Sequence, residues 1–231
     1  TLIKNLKCIG ILILSDVIRQ DAKTTLDYFK RQDVDIKIIS GDDPVTVSAI
    51  ARRCHLLNYE HYIDVSSLSD EQIKEAIEKY TIFGRVSPKQ KQLMVNALQE
   101  NNHTVAMTGD GVNDVLALKA ADCSIAMASG SDAAKSASHI VLLKNNFNAM
   151  PHIVNEGRRV INNITASASM YLIKTIFSVV LSIGMILFGH GYPFKPIQLT
   201  VISACCVGIP TFFLTYEPNF KRVSGDFLKT V

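Results

Sequence analysis

The stretch Met107-Thr108-Gly109-Asp110-Gly111-Val112-Asn113-Asp114 decides the fold. It follows a strand-like run, residues 103–107, and opens into a helical pattern, residues 115–121. Both carboxylates therefore fall where a strand ends and a helix begins, the edge of an open α/β sheet at which ligands bind. Gly109 and Gly111 allow a tight turn and a close approach of the backbone to an oxyanion. Asp110 and Asp114 offer hard oxygen donors to one cation, and magnesium with phosphate is the guest that suits them. A lone GDG reads equally well as turn chemistry, because Asp and Gly are ordinary turn formers. The longer GDGxND string is more specific.

Upstream, short apolar runs alternate with amphipathic ones, which predicts a mainly parallel sheet covered by helices. Strands are expected at residues 8–14, 36–40, 81–85, 104–107, 123–127 and 139–143, and helices at 22–31, 45–54, 70–79 and 89–100. Ser69 and Pro88 stand at helix starts. The strand at 36–40 runs into Ser40-Gly41-Asp42-Asp43-Pro44, where a hydroxyl, a flexible glycine and a helix start come together. Such a segment either caps the helix or binds phosphate through Ser40 and free amides. Phe83-Gly84-Arg85-Val86-Ser87-Pro88-Lys89-Gln90-Lys91 likewise ends a strand and starts a helix. A lysine there is either solvated or placed to neutralise a phosphoryl oxygen.

The last third changes character. Residues 171–188 are apolar apart from Lys174 and a few small residues, and the apolar run extends upstream to residue 164. Residues 197–216 contain no charge at all. Each is long enough to span a bilayer, which takes about 20 helical residues. The alternative is a pair of buried helices in a soluble core. The short loop 190–196 predicts an antiparallel hairpin. Arg158 and Arg159 precede the first span and Lys221 and Arg222 follow the second, whereas the loop offers only Lys195. The positive-inside rule places residues 1–165 and 217–231 in the cytoplasm and the loop outside a plasma membrane.

The net charge of +3 and the lack of a concentrated basic patch argue against nucleic acid as a partner. The odd cysteine count, with no CxxC spacing, argues for a reducing compartment over a disulfide scaffold. Cys205 and Cys206 are read either as soft-metal thiolates or as small residues packing between helices. No signal-peptide pattern opens the chain, and Thr1 in place of Met suggests an internal fragment of a longer protein.

The GDGVND loop, Ser124-Ile125-Ala126-Met127, Glu156-Gly157-Arg158-Arg159 and Asn162-Asn163 together resemble the P-type ATPases, ion pumps of the haloacid dehalogenase-like superfamily, over essentially the whole chain. The resemblance implies a partial α/β haloacid dehalogenase-like, Rossmann-like phosphorylation domain at 1–147. A stalk helix at 148–165 follows, then transmembrane helices at 166–189 and 197–216, the fifth and sixth of such a pump, and a cytoplasmic segment at 217–231. It implies Mg2+ as cofactor and ATP as substrate, with Asp110 holding the ion and Asp114 supporting it. Asn113 either orients the loop or is purely structural. Ser40-Gly41-Asp42 is similar to the family's TGD motif, with Ser40 replacing Thr, and Lys91 rather than Lys89 matches its phosphate-contacting lysine.

The family's phosphorylated DKTGT aspartate has no counterpart in this sequence. Asp16 follows an apolar strand as a nucleophile would, but Val17 and Ile18 follow it in place of the usual residues. The resemblance instead matches Asp16 to the Asp of a DPxR segment near the nucleotide, with Arg19 as a displaced basic partner. The remaining domains of a full-length pump are the implied partners, beside the bilayer and a transported cation. The spans lack the carboxylates of familiar calcium and sodium pumps, which leaves Lys174, Ser178, Ser203, Cys206, Gly208 and Pro210 as the candidate transport path. Lys174 either replaces a bound cation or snorkels to the surface. The segment from Gly208 to Asn219 is similar to a less characterised bacterial branch of cation-translocating P-type ATPases, which points to calcium or another cation. A lipid or polyamine transporter, a soluble phosphatase and a truncated non-catalytic fragment are the competing readings.

Overall fold

A computed structural model describes residues 20–143 and 146–223. The strand expected at residues 8–14, with Cys8, Asp16 and Arg19, lies outside the described residues, as does the end of the chain from residue 224. The chain divides into two compact units, Thr1–Ala149 and Met150–Val231.

The first unit is built from parallel strands joined through helices. In chain order it contains α1 (Gln20–Arg31), β1 (Ile38–Ile39), α2 (Pro44–Arg53), β2 (Tyr62–Asp64), α3 (Asp70–Lys79), β3 (Ile82–Gly84), α4 (Pro88–Glu100) and β4 (Ala106–Gly109). A short 3-10 turn (Val112–Asp114), α5 (Val115–Ala120), β5 (Cys123–Met127), α6 (Asp132–Ala137) and β6 (Ile140–Leu142) follow. Among the described residues the strands form two three-stranded sheets, ordered β1-β3-β2 and β4-β5-β6, with every pairing parallel. This is the α/β architecture expected from the alternation of short apolar and amphipathic runs.

Local sequence explains where the elements start. Ser69 and Ser87 each accept a hydrogen bond from the backbone three residues on, and Gln72 and Gln90 reach back to close a capping box. Pro44 and Pro88 occupy first-turn positions, where the missing N–H costs nothing. Ile73, Ala76 and Ile77 recur at helical spacing and are buried, so α3 presents one apolar face. That face meets Val65, Phe83, Val86, Met94 and Ala97 in one core. Val95, on another side of α4, instead joins Ala117 and Ala121, packed by Val105 and Met107. Helix α4 therefore contributes to the cores of both sheets, which brings its first turn beside the loop after β4.

Several expected elements shift at their edges. The strand expected at 81–85 stops at Gly84, because Arg85 adopts a left-handed conformation with φ of 55°. The strands at 36–40 and 139–143 contract to two and three residues. Strand β2 and helix α6 are additional elements, too short for their periodicity to register.

The second unit is helical. Helix α7 (Ala149–Leu187) runs 39 residues, about 58 Å at 1.5 Å per residue. Helix α8 (Pro196–Ser203), a π-helical turn (Ala204–Gly208) and α9 (Ile209–Leu214) follow. By length and composition, Ala149–Leu187 and Pro196–Leu214 are two helices able to cross a membrane. Their apolar side chains point outward: Ile173, Phe177, Val180, Ile186, Val201 and Phe213 are all exposed. That is the inverse of a soluble core and disfavours the buried-helix reading. Hydroxyls along both helices donate to carbonyls four residues back, including Ser178 to Lys174 and Ser203 to Leu199. Such bonding satisfies polar groups that lipid could not.

The π turn ends two residues before Pro210, which has no N–H to give. Ile209 N–H reaches five residues back to the Ala204 carbonyl. Thr211 Oγ1 donates to the Val207 and Gly208 carbonyls at 2.8 and 3.0 Å. At the polar end of the hairpin, side chains of α7 grip the backbone that leaves α9. Arg159 Nη1 donates to the Thr215 carbonyl at 2.7 Å, and Asn163 Nδ2 to the Glu217 carbonyl at 3.1 Å. Asn162 Nδ2 donates to the carbonyls of Asn219 and Lys221.

Candidate phosphate and magnesium site

Ser40, Gly41, Asp42, Lys91, Asp110, Asn113 and Asp114 follow the ends of β1, β3 and β4, each in the segment that leads from a strand into a helix or helical turn, whereas the candidate transport-path residues lie in the helices of the second unit. After β4, Asp110 is exposed while Asp114 is buried at the end of the 3-10 turn. Gly109 is needed here because a Cβ would lie 2.7 Å from Asp114 Cβ. Asp114 Oδ2 accepts the Gly111 N–H at 3.1 Å, and its Oδ1 accepts Lys91 Nζ at 2.7 Å. The side chains of Lys91 and Asp114 are only 12% and 11% exposed. Two of the sequence motifs are therefore joined by a buried ion pair. Asp110 differs: its carboxylate makes no hydrogen bond or ion pair among the described residues. Asn113 is exposed on the same turn.

After β1, the Ser40 hydroxyl donates to Asp42 Oδ2 at 3.0 Å and accepts the Asp42 N–H at 3.1 Å. This closes the loop on itself, and Gly41 has nothing within 4 Å of where a Cβ would stand. Asp43, not Ser40, caps α2 by accepting the Val45 N–H. The Ser40 backbone is locked into the neighbouring segment, with its N–H donating to the Phe83 carbonyl and its carbonyl accepting the Val86 N–H.

Sequence reasoning missed two supports of these loops. Arg85 salt-bridges Asp43 at 3.0 Å and Asp64 at 3.3 Å, and its N–H donates to the Asp42 carbonyl, so it ties the SGDDP loop to the ends of β2 and β3. Hydrogen bonds from the Ser66 hydroxyl and amide, with the Arg85 charge adding to them, hold the Asp64 carboxyl below its ordinary range. A left-handed non-glycine residue at a loop is the kind of strain found at functional sites, but sequence carries no sign of it. The second support is Gly130-Ser131, whose backbone packs against that of Asp110. The glycine was visible in the sequence, but its neighbour across space was not.

The donor set suits magnesium. Asp110 supplies a free, exposed oxygen ligand at a strand end, and magnesium is commonly held by one or two carboxylates together with phosphate and water. No group of three or more His, Cys, Asp and Glu that could hold a metal occurs among the described residues. Cys54, Cys123, Cys205 and Cys206 are all free thiols.

Residues 2–122 match the family model of the haloacid dehalogenase-like hydrolases. The chain is 47% identical over 233 residues to the probable cation-transporting ATPase exp7 of Streptococcus pneumoniae, covering 97% of this chain and 30% of that protein. It is 45% identical over 234 residues to the calcium-transporting ATPase CtpE of Mycolicibacterium smegmatis, covering 96% of this chain and 29% of that one. The chain thus spans less than a third of the length of these relatives. In fold it resembles the crystal structure of a zinc-transporting PIB-type ATPase in its E2.Pi state, with a TM-score of 0.63, 24% identity, and coverage of 87% of this chain and 27% of that one. The chain belongs to the haloacid dehalogenase-like hydrolases and, within them, to the P-type ATPases.

Proposed function

We propose that this chain supplies the magnesium- and phosphate-binding part of the phosphorylation site, and two membrane helices, of an ATP-driven cation pump. The observation that carries this reading is the buried Lys91–Asp114 pair beside the free carboxylate of Asp110, at the ends of parallel strands. Asp110 holds Mg2+, which when bound offsets phosphoryl charge. Asp114 is engaged by Lys91 and Gly111 and acts on the site through Lys91, holding the ammonium at the mouth of the loop. Ser40 and Lys91 bind phosphoryl oxygens, with Gly41 letting the backbone approach and Asp42 orienting the Ser40 hydroxyl. Positioned charge of this kind is the main source of catalysis in phosphoryl transfer. The accepting aspartate comes from elsewhere in a longer protein, and this chain alone does not hydrolyse ATP.

The same reading places the two spans in a plasma membrane with residues 190–196 outside. Calcium is the favoured cargo, supported by the names of relatives such as CtpE. A lipid or polyamine cargo is the second reading, favoured by one observation: Ala149–Leu187 and Pro196–Leu214 carry no carboxylate beyond Glu156, far from their apolar middles. Calcium at these helices would be coordinated by hydroxyls and by carbonyls near the π turn, where Ser203, Cys206, Gly208 and Pro210 lie. ATPase activity of the full-length parent in lipid, across a panel of cations, lipids and polyamines with Asp110→Asn as the blank, decides between them. Stimulation by one cation, lost in the variant, is expected. Stimulation by a lipid or an organic amine alone overturns the cation assignment, and full activity of Asp110→Asn overturns the site.

A further inference from the structure

Resting on the reading of Asp110 as the magnesium carboxylate, we infer that Gly130 and Ser131 are positioning residues for it, holding its main chain so that its side chain stays free for the ion. Gly109 of β4 pairs with Ala126 of β5, so the two chains leave the sheet side by side. The turn after β5 closes with Gly130 N–H donating to the Met127 carbonyl at 2.9 Å, and Ser131 N–H then donates to the Asp110 carbonyl at 2.8 Å. Gly130 lies flat against the same peptide. A Cβ there would lie 2.8 Å from the Asp110 carbonyl oxygen, 3.0 Å from its Cα and 3.0 Å from the Met127 carbonyl oxygen. All three are backbone atoms, which cannot swing aside as a flexible side chain would.

The two ends of the GDGVND loop are thus held by different means. Asp114 is fixed through its carboxylate, by Lys91 and the Gly111 amide. Asp110 is fixed through its carbonyl, which spends no carboxylate oxygen on protein contacts. Magnesium demands near-octahedral geometry, so a loop anchored only at Asp114 would present its ligand poorly. Ser131 also starts α6, its hydroxyl accepting the Ala134 N–H at 3.1 Å, so the helix and the prop share one residue.

The test is direct titration of the full-length protein with Mn2+ as a magnesium stand-in, followed by electron paramagnetic resonance in the presence of inorganic phosphate. The site counted is the one that Asp110→Asn removes. Gly130→Ala is expected to weaken that site about tenfold or more, by pushing the Asp110 peptide away. Ser131→Pro deletes the N–H at a residue whose φ of −62° already suits proline. Its reference is Ser131→Ala, which loses the same helix cap but keeps the amide. Ser131→Pro is expected to bind at least about tenfold more weakly than Ser131→Ala, because its ring both removes one hydrogen bond and sets Cδ against the Asp110 carbonyl in place of the amide proton. Should Gly130→Ala not fold, the proline and alanine pair still gives the answer. Only variants that melt well above the titration temperature are compared, because reversible unfolding would itself weaken the apparent affinity, whereas irreversible loss of fold lowers only the number of sites. Unchanged affinity in Gly130→Ala, or equal affinity in Ser131→Pro and Ser131→Ala, overturns the positioning role. Wild-type binding by Asp110→Asn overturns instead the reading of Asp110 on which it rests.

Discussion

Lys91 Nζ lies 2.7 Å from Asp114 Oδ1, joining the first turn of the helix after β3 to the loop after β4. Neither side chain has much access to water, so each depends on the other to offset the cost of leaving it. The pair therefore ties the geometry of the proposed phosphate site to stability of the fold.

Removing one partner should strand the other. Asp114→Ala or Lys91→Met alone is expected to destabilise the first unit by about 3–5 kcal/mol, whereas the double substitution Lys91→Met with Asp114→Leu should recover most of that loss. Thermal unfolding of the three variants measures it. Losses in the double variant that equal the sum of the singles would mean the pair is not an energetic unit.

Gly84 is predicted to be intolerant of a side chain. A Cβ there would lie 2.5 Å from the ring of Pro44, at the junction of β3 and α2, so Gly84→Ala should cost about 1–3 kcal/mol. Gly157 makes the contrast. It sits inside α7 with nothing within 4 Å of a Cβ, and Gly157→Ala should stabilise that helix by about 0.5–1 kcal/mol. Equal effects on the melting temperature would count against the packing at Gly84.

Acid sensitivity should involve Asp122. Its carboxylate accepts the Val105 N–H at 2.8 Å, which with Gln99 holds its pKa below the ordinary value. A group depressed in the folded state contributes stability above its unfolded pKa of about 3.9 and loses it as pH falls through the folded value. Asp122→Ala is therefore expected to melt below the wild type at pH 7, with the gap closing as pH drops below about 4. A gap independent of pH would assign the effect to lost packing.

The grip of α7 on the end of α9 can be loosened selectively. Asn163→Ala removes donors to the Thr215 and Glu217 carbonyls from a buried position and should cost about 0.5–1.5 kcal/mol per good hydrogen bond. Hydrogen exchange in the full-length protein should accelerate at residues 215–221 and not in β1–β6. Unchanged exchange there would show that the grip does not hold the segment.

Much of this protein was determined by its sequence alone. Alternating short apolar and amphipathic runs specify parallel strands with helices between them, because the period of burial is a property of the chain. Two long segments, one uncharged and one with Lys174 as its single charge, specify membrane helices by length, and GDGVND, SGDDP and FGRVSPKQK mark the strand ends because their turns need those residues. The tertiary structure decided what those motifs touch. Lys91 and Asp114 are 23 residues apart in sequence and meet because α4 contributes to the cores of both sheets. Arg85 stands left-handed where its amide meets the Asp42 carbonyl and its guanidinium meets Asp43 and Asp64, and Gly130 must be glycine because the Asp110 peptide passes beside it. Local patterns record which conformations a segment prefers, whereas partners distant in the chain are selected only when packing brings their backbones together.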